Sequence, residues 1–166
     1  YYEQARHIDL GKLPVLLENQ QKGNYKVYLD PSAQGSDMGL YVNQSYEADA
    51  EIGKWLANRD FRIALSHGID REQINETFAL GLGVIGSAAP DENTPYSPGP
   101  EFRQLHSTYD VQKANQLLDG LGLTQKDSEG FRLRTDKPER LRLEVITYLG
   151  FLQFTQIAEM IREQWK

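Results

Sequence analysis

Asp60-Phe61-Arg62-Ile63-Ala64-Leu65-Ser66-His67-Gly68-Ile69-Asp70-Arg71-Glu72-Gln73-Ile74 reads as one helix followed at once by the start of another. Phe61, Ala64, Leu65 and Gly68 recur at helical spacing, so one face of residues 60–67 is expected to pack inward. Asp70 and Gln73 have the spacing of a capping box, in which the Asp70 carboxylate accepts from the Gln73 amide and Gln73 reaches back to the Asp70 N–H. Ile69 and Ile74 flank the box at the staple positions, and Gly81 is the expected stop.

Helix and strand signals alternate on both sides of this pair. Residues 13–18 suggest a short helix with Pro14 in its first turn, and residues 25–29 and 38–42 read as strands, bounded by Asp30-Pro31 and Gly35-Ser36-Asp37. Residues 81–100, with Pro90, Pro95, Pro98 and Pro100, read as a loop, and loops of that length are usually functional. Asp110 is expected to cap a helix carrying Val111, Ala114, Leu117, Leu118 and Leu121 on one face. A charged hairpin over 126–139 and a period-2 strand over 141–148 follow. Phe154, Ile157, Ala158, Ile161 and Trp165 mark a last amphipathic helix. The expected fold class is α/β, with the strands around Tyr25, Leu40 and Val145 in one sheet.

The 166 residues suit one domain. With 39% hydrophobic and 25% charged residues the composition is globular, and 24 acidic against 18 basic side chains give a net charge of -6. That balance argues against a broad basic face for nucleic acid. No apolar run reaches the roughly 20 residues that span a bilayer. The absence of Cys excludes disulfides and thiolate metal sites. The chain begins with Tyr1 and its last helix is still running at Lys166, so it is expected to be a piece of a longer polypeptide.

Chemistry is sparse. His7, His67 and His106 form no metal-binding pair, and His67, at a helix end, suits contact with carbonyls. Asp49/Glu51 and Asp91/Glu92 read as solvated surface, and Gly81-Leu82-Gly83-Val84-Ile85-Gly86 follows a helix rather than the strand that a dinucleotide fingerprint requires. Arg132, Arg134, Lys137, Arg140 and Arg142 are interleaved with acids and read as a solvated hairpin face. Tyr41 beside Asn43, and Tyr148 and Phe151 around Gly150, fall at strand ends where binding loops commonly lie; Phe154 reads as core.

Tyr41-Val42-Asn43, Trp55, the helix pair quoted above, the segment Tyr109-Asp110-Val111-Gln112-Lys113-Ala114-Asn115-Gln116-Leu117-Leu118 ending at Gly122, and strand 141–148 followed by Gln156-Ile157-Ala158 and Gln164-Trp165-Lys166 resemble, in order and spacing, the family 5 extracellular solute-binding proteins. These are the oligopeptide, dipeptide and nickel receptors of ABC importers. The resemblance implies one mixed-sheet lobe of a two-lobed type II periplasmic-binding-protein fold. Residues 1–166 would be part of lobe II, with the first lobe and the C-terminal part elsewhere. It implies a monomer that binds a peptide or similar solute in the cleft and delivers it to a membrane permease, in the periplasm or outside the cell, held at the membrane by the longer polypeptide's anchor. No catalysis, cofactor, metal or nucleic acid is implied. The ligand-binding residues it points to are Tyr41, Asn43, Gly86, Ser87, Tyr148, Gly150 and Phe151.

Two competing readings are weaker. A hydrolase-type enzyme requires convergent titratable groups in a concave site, which the sequence does not show. A helix-turn-helix over 60–81 offers only Arg62 and Arg71 to neutralise phosphate.

Overall fold

Side-chain caps start four of the described helices. In the computed structural model, which describes residues 10–29, 35–36, 38–148, 150 and 153–166, Asp49 accepts from the Glu51 and Ile52 amides and starts α3 (Ala50–Ala57). Asn58 accepts from the Phe61 amide at 3.0 Å and starts α4 (Arg59–His67). Upstream, a 3-10 turn Leu10–Lys12 leads into α1 (Leu13–Glu18), with Pro14 in its first turn, and α2 (Gln20–Gly23). Asp110 accepts from the Lys113 amide at 2.8 Å and starts α7 (Val111–Gly120).

The expected capping box at α5 (Arg71–Ala79) is half local and half distant. The Asp70 carboxylate accepts from the Gln73 amide at 3.0 Å, as its spacing implies. The Asp70 N–H, however, donates at 3.0 Å to the side chain of Gln164, near the end of α8 (Phe154–Gln164). The Gln164 amide nitrogen in turn donates to the Gln73 side-chain oxygen at 2.7 Å. Gln73 therefore serves α8 instead of reaching back. The helix ends one residue before the expected stop, with Leu80 and Gly81 both left-handed at φ 54° and 70°.

Two apolar clusters organise the helices. Ile69 and Ile74, the staple pair, are buried with Ile157 and Ile161 of α8, and Met38, Phe78, Met160 and Trp165 pack around them. Trp55, Phe61 and Leu123 form the second cluster, joined by Leu65, Leu118, Leu121, Leu141 and Leu143. α4 packs along α7, and its Phe61 is 1% exposed. The helical faces read over 60–67, 111–121 and 154–165 are those that pack inward, except that Val111, expected on the second face, is exposed.

The expected common sheet is not formed among the described residues. Residues 25–29, 38–42 and 141–148 carry no ladder there, and the β-pairing is confined to two isolated antiparallel bridges, Lys126 with Arg132 and Leu133 with Arg140. Those bridges close the expected hairpin. The period-2 alternation of 141–148 holds where apolar partners exist: Leu141 and Leu143 pack on the second cluster. Val145 and Ile146, with none, are exposed. A strand needs a neighbour as well as a buried face, since its N–H and C=O groups must pair across chains. The period-2 pattern supplied the face without the neighbour. Asp30, Pro31 and Asp37, read as strand boundaries, lie outside the described residues.

Removing the cap at Asp70 is expected to be costly from either end. Asp70→Ala should lower stability by about 1 kcal/mol, and Gln164→Ala by a similar amount, about 1 kcal/mol, through the bonds it makes to both Asp70 and Gln73. Urea denaturation of the two variants checks this; Gln164→Ala indistinguishable from the parent chain would show that α8 does not complete the cap.

Candidate functional site

The residues expected at a ligand site fall into three local groups. Tyr41 is 90% exposed, and a Cβ at Gly39 would lie 3.0 Å from its ring, so Gly39 is small where the ring folds back. Asn43 Oδ1 accepts from the Ser45 amide at 3.1 Å and closes a local turn. A side chain used this way fixes the chain path first and offers only its remaining amide donors to a ligand.

Gly86 and Ser87 lie against α6 (Glu101–Gln104). The Ser87 amide donates to the Arg103 carbonyl at 2.6 Å, and the Ser87 hydroxyl donates to the Phe102 carbonyl. A Cβ at Gly86 would stand 2.8 Å from that Arg103 carbonyl, so the close approach requires glycine. Arg103 Nη1 donates to the Ala89 carbonyl at 3.1 Å and holds the next turn of the loop. Farther on, a Cβ at Gly35 would meet the Ala88 carbonyl at 2.6 Å, which brings the segment preceding Tyr41 against the same loop.

Tyr148 and Phe154 form the third group, with ring centroids 4.8 Å apart. A Cβ at Gly150 would lie 2.9 Å from the Tyr148 ring and 3.4 Å from that of Phe154, so Gly150 lets the two rings meet. Phe154, read from sequence as core, is thus half of an aromatic pair whose other half, Tyr148, is 68% exposed. Phe151 lies outside the described residues, as does His7. No hydrogen bond or ring contact among the described residues joins one of the three groups to another. Sequence reasoning missed Arg103; its only signal was a lone cation after the Pro-rich loop.

The charged clusters are structural. Asp49 and Glu51, read as solvated acids, form a network with the hairpin. Arg134 donates to both Asp49 oxygens, at 2.6 and 2.9 Å, and to Asp136. Glu51 is 9% exposed and accepts from the Trp55 indole at 2.8 Å and from the amide and hydroxyl of Thr135. The Arg134 hydrogen bond, followed by that from the Ile52 amide, lowers the Asp49 pKa to about 2. The same partners raise Arg134 above its ordinary value, the Asp136 bond most strongly. The basic cluster is only in part the solvated face expected of it: Lys137 and Arg142 are exposed, whereas the Arg132 and Arg134 side chains are only 11% and 9% exposed, and Arg132 bonds to Asp119 and to the Leu123 carbonyl. Arg140 pairs with Asp127 and Glu129, and its guanidinium lies 4.3 Å from the Phe131 ring. Asp91 spends its carboxylate on the Asn93 amides. In the glycine-rich segment 81–86, Asn75 takes both the N–H and the C=O of Gly83, at 2.9 and 3.1 Å. Among the described residues no three His, Asp or Glu side chains gather as a metal site.

What remains among the described residues is a helical scaffold presenting exposed aromatics, glycine-lined backbone and turn amides. Residues 4–166 match the middle region of the bacterial extracellular solute-binding proteins, family 5, and the chain belongs to that family. A solved structure of the oligopeptide-binding protein OppA is similar to it at 33% identity and a TM-score of 0.80, over 93% of this chain and 24% of that one. The fold is accordingly of the periplasmic-binding-protein kind, and the chain spans about a quarter of OppA's length. Comparison with curated proteins gives no match.

The Asp49 network has a pH signature. Its folded-state pKa of about 2 lies below the ordinary 3.8, so the stabilisation is fully present above 3.8 and is lost as the pH falls through about 2. Acid denaturation of Asp49→Asn is expected to show a weaker loss of stability between these two values than the parent chain. Parallel acid limbs for the two proteins would contradict the ion pair.

Proposed function

We propose that the chain is part of the second ligand-binding lobe of an ABC importer's solute receptor, which takes a peptide into the cleft between two lobes and delivers it to a membrane permease. The observation that carries this reading is the family match over residues 4–166 together with the likeness to a protein named for oligopeptide binding. A receptor in the periplasm or outside the cell suits the family's description as extracellular. Among the described residues no helix is long and apolar enough to cross a membrane, so in this reading attachment to the membrane belongs to an anchor on the longer polypeptide.

Tyr41, Asn43, Gly86, Ser87, Tyr148, Gly150 and Phe151 are proposed as the ligand contacts of this lobe. Exposed Tyr41 and Tyr148 would supply apolar walls, and the tight 86–87 turn backbone groups. Peptides suit such a surface because their repeating amides are met by backbone groups and turn donors whatever the side chains. Segment 141–148, without a ladder partner and with Ile146 88% exposed, would pair with further strands of the lobe in the longer polypeptide. Closure of the two lobes over the ligand would supply the remaining contacts and shift the population toward the closed form.

Such a cleft derives its affinity from enclosing the ligand on both sides, while one half still bears most of the association cost. If a two-lobed receptor bound at about 1 μM, near 8 kcal/mol, an even division of contacts would leave this half at or weaker than the millimolar range. Calorimetry with a mixed peptide library is expected to show no useful binding to residues 1–166 alone and tight binding once they are joined to a first lobe. Micromolar binding to residues 1–166, abolished by Asn43→Ala or Phe151→Ala, would refute the half-cleft account. Turnover of a substrate by the two-lobed protein would overturn the receptor reading itself.

A further inference from the structure

Residues 106–110 lie as a strap across the end of α4, with three successive carbonyls held from the other side. The Ser66 hydroxyl donates to the His106 carbonyl at 2.7 Å, Arg71 Nη1 donates to the Ser107 carbonyl at 3.1 Å, and His67 Nδ1 bonds the Thr108 carbonyl at 2.7 Å. The strap closes where the Asp110 amide donates to the His67 carbonyl at 2.9 Å. Because a carbonyl only accepts, the His67 Nδ1 carries the proton in this contact, and its Nε2 is buried with no hydrogen-bond partner among the described residues. His67 is 2% exposed, and the half-buried His106 ring stands edge-on to it, with centroids 6.2 Å apart. His106 is also held in the left-handed region at φ 57°, a conformation that a non-glycine residue keeps only when its surroundings fix it.

Cationic side chains outnumber acids around this contact. α4 contributes Arg59 and His67, α7 contributes Lys113, and Arg71 enters from the start of α5. Arg71 binds the carbonyls of Ser66, Ile69 and Ser107 and the Ser66 hydroxyl, and among the described residues no carboxylate pairs with it. The nearby acid, Asp110, is engaged by the Lys113 amide as the cap of α7. A proton arriving on His106 therefore meets cations and a buried imidazole.

We propose that the 106–110 strap is a proton-sensitive latch, closed over α4 while His106 is neutral and lifted when His106 becomes charged. Burial first, and then Arg59, His67 and Lys113, hold the His106 pKa below its ordinary 6.5. The closed form therefore has its full advantage above 6.5 and loses it as the pH drops below that value. The strap follows α6 by one residue, and α6 carries the Phe102 and Arg103 carbonyls that hold Ser87. Lifting it frees one end of the segment against which Gly86 and Ser87 lie. The latch does not depend on the transport reading, and its test needs no ligand.

Amide hydrogen exchange in the 166-residue chain, corrected for the intrinsic effect of pH, reads the latch directly. From about pH 7.5 to about pH 5.5 the Asp110 amide is expected to exchange roughly three- to tenfold faster, while the Gln73 amide keeps its protection. His106→Asn, which tolerates the left-handed backbone, is expected to abolish the acceleration. Lys113→Gln, which leaves both rings in place, is expected to reduce it. Unchanged protection of Asp110 in the parent chain would overturn the latch, as would an acceleration that survives undiminished in both variants. Equal acceleration at Gln73 would also overturn it, by showing general acid unfolding.

Discussion

Residues 67–70, between α4 and α5, are held by their own helix ends and by two distant segments that meet there. Trp165 packs so closely on Gly68 that a Cβ would lie 2.9 Å from its ring, and the indole donates to the Leu65 carbonyl at 3.1 Å. Gln164 takes the Asp70 N–H, while the strap at 106–110 takes the His67 imidazole and carbonyl. A helix terminus leaves several N–H or C=O groups without partners in its own helix. Here the orphans of two helices are satisfied by segments some 40 and 90 residues away, so the corner and its partners stabilise one another.

The two apolar clusters extend from this corner. Ile69 and Ile74 bury against α8 on one side, while Phe61 and Leu65 of α4 reach the Trp55 cluster on the other. The hairpin is bound to α3 and α7 by Arg134 and Arg132, which places the following segment, 141–148, at the rim of the second cluster with its aromatic end against the start of α8. The groups proposed to meet a ligand, at 41–43, 86–87, 148 and 150, are therefore surface segments supported by packed helices. Such division between rigid scaffold and exposed contact segments is what a binding lobe requires.

Local chemistry was legible in the sequence wherever its partners were local. The caps at Asp70 and Asp110, the Pro14 helix start and the apolar faces of three helices are set within four to eleven residues, and each stands as read. Readings that required a distant partner failed in specific ways. Gln73 faces Gln164, 91 positions on, and Asp49 and Glu51 meet Arg134 and Thr135, some 85 positions on. With that hairpin out of view, the two acids read as solvated and α3, which Asp49 caps, went unrecognised. Period-2 alternation identified a face for 141–148 and could not supply a strand beside it. The likeness of three segments to family 5 carried the functional reading further than any residue's chemistry.

The dependence of the structure on the α4–α5 corner is tested most directly by a double-mutant cycle between Gly68 and Trp165, followed by urea denaturation. If the indole and the corner backbone are in contact as described, Gly68→Ala destabilises the parent chain, because the added methyl must displace the ring. In a Trp165→Ala background the same substitution then costs little, and the two effects are strongly non-additive. Additive effects, or a neutral Gly68→Ala in the parent chain, would contradict the account.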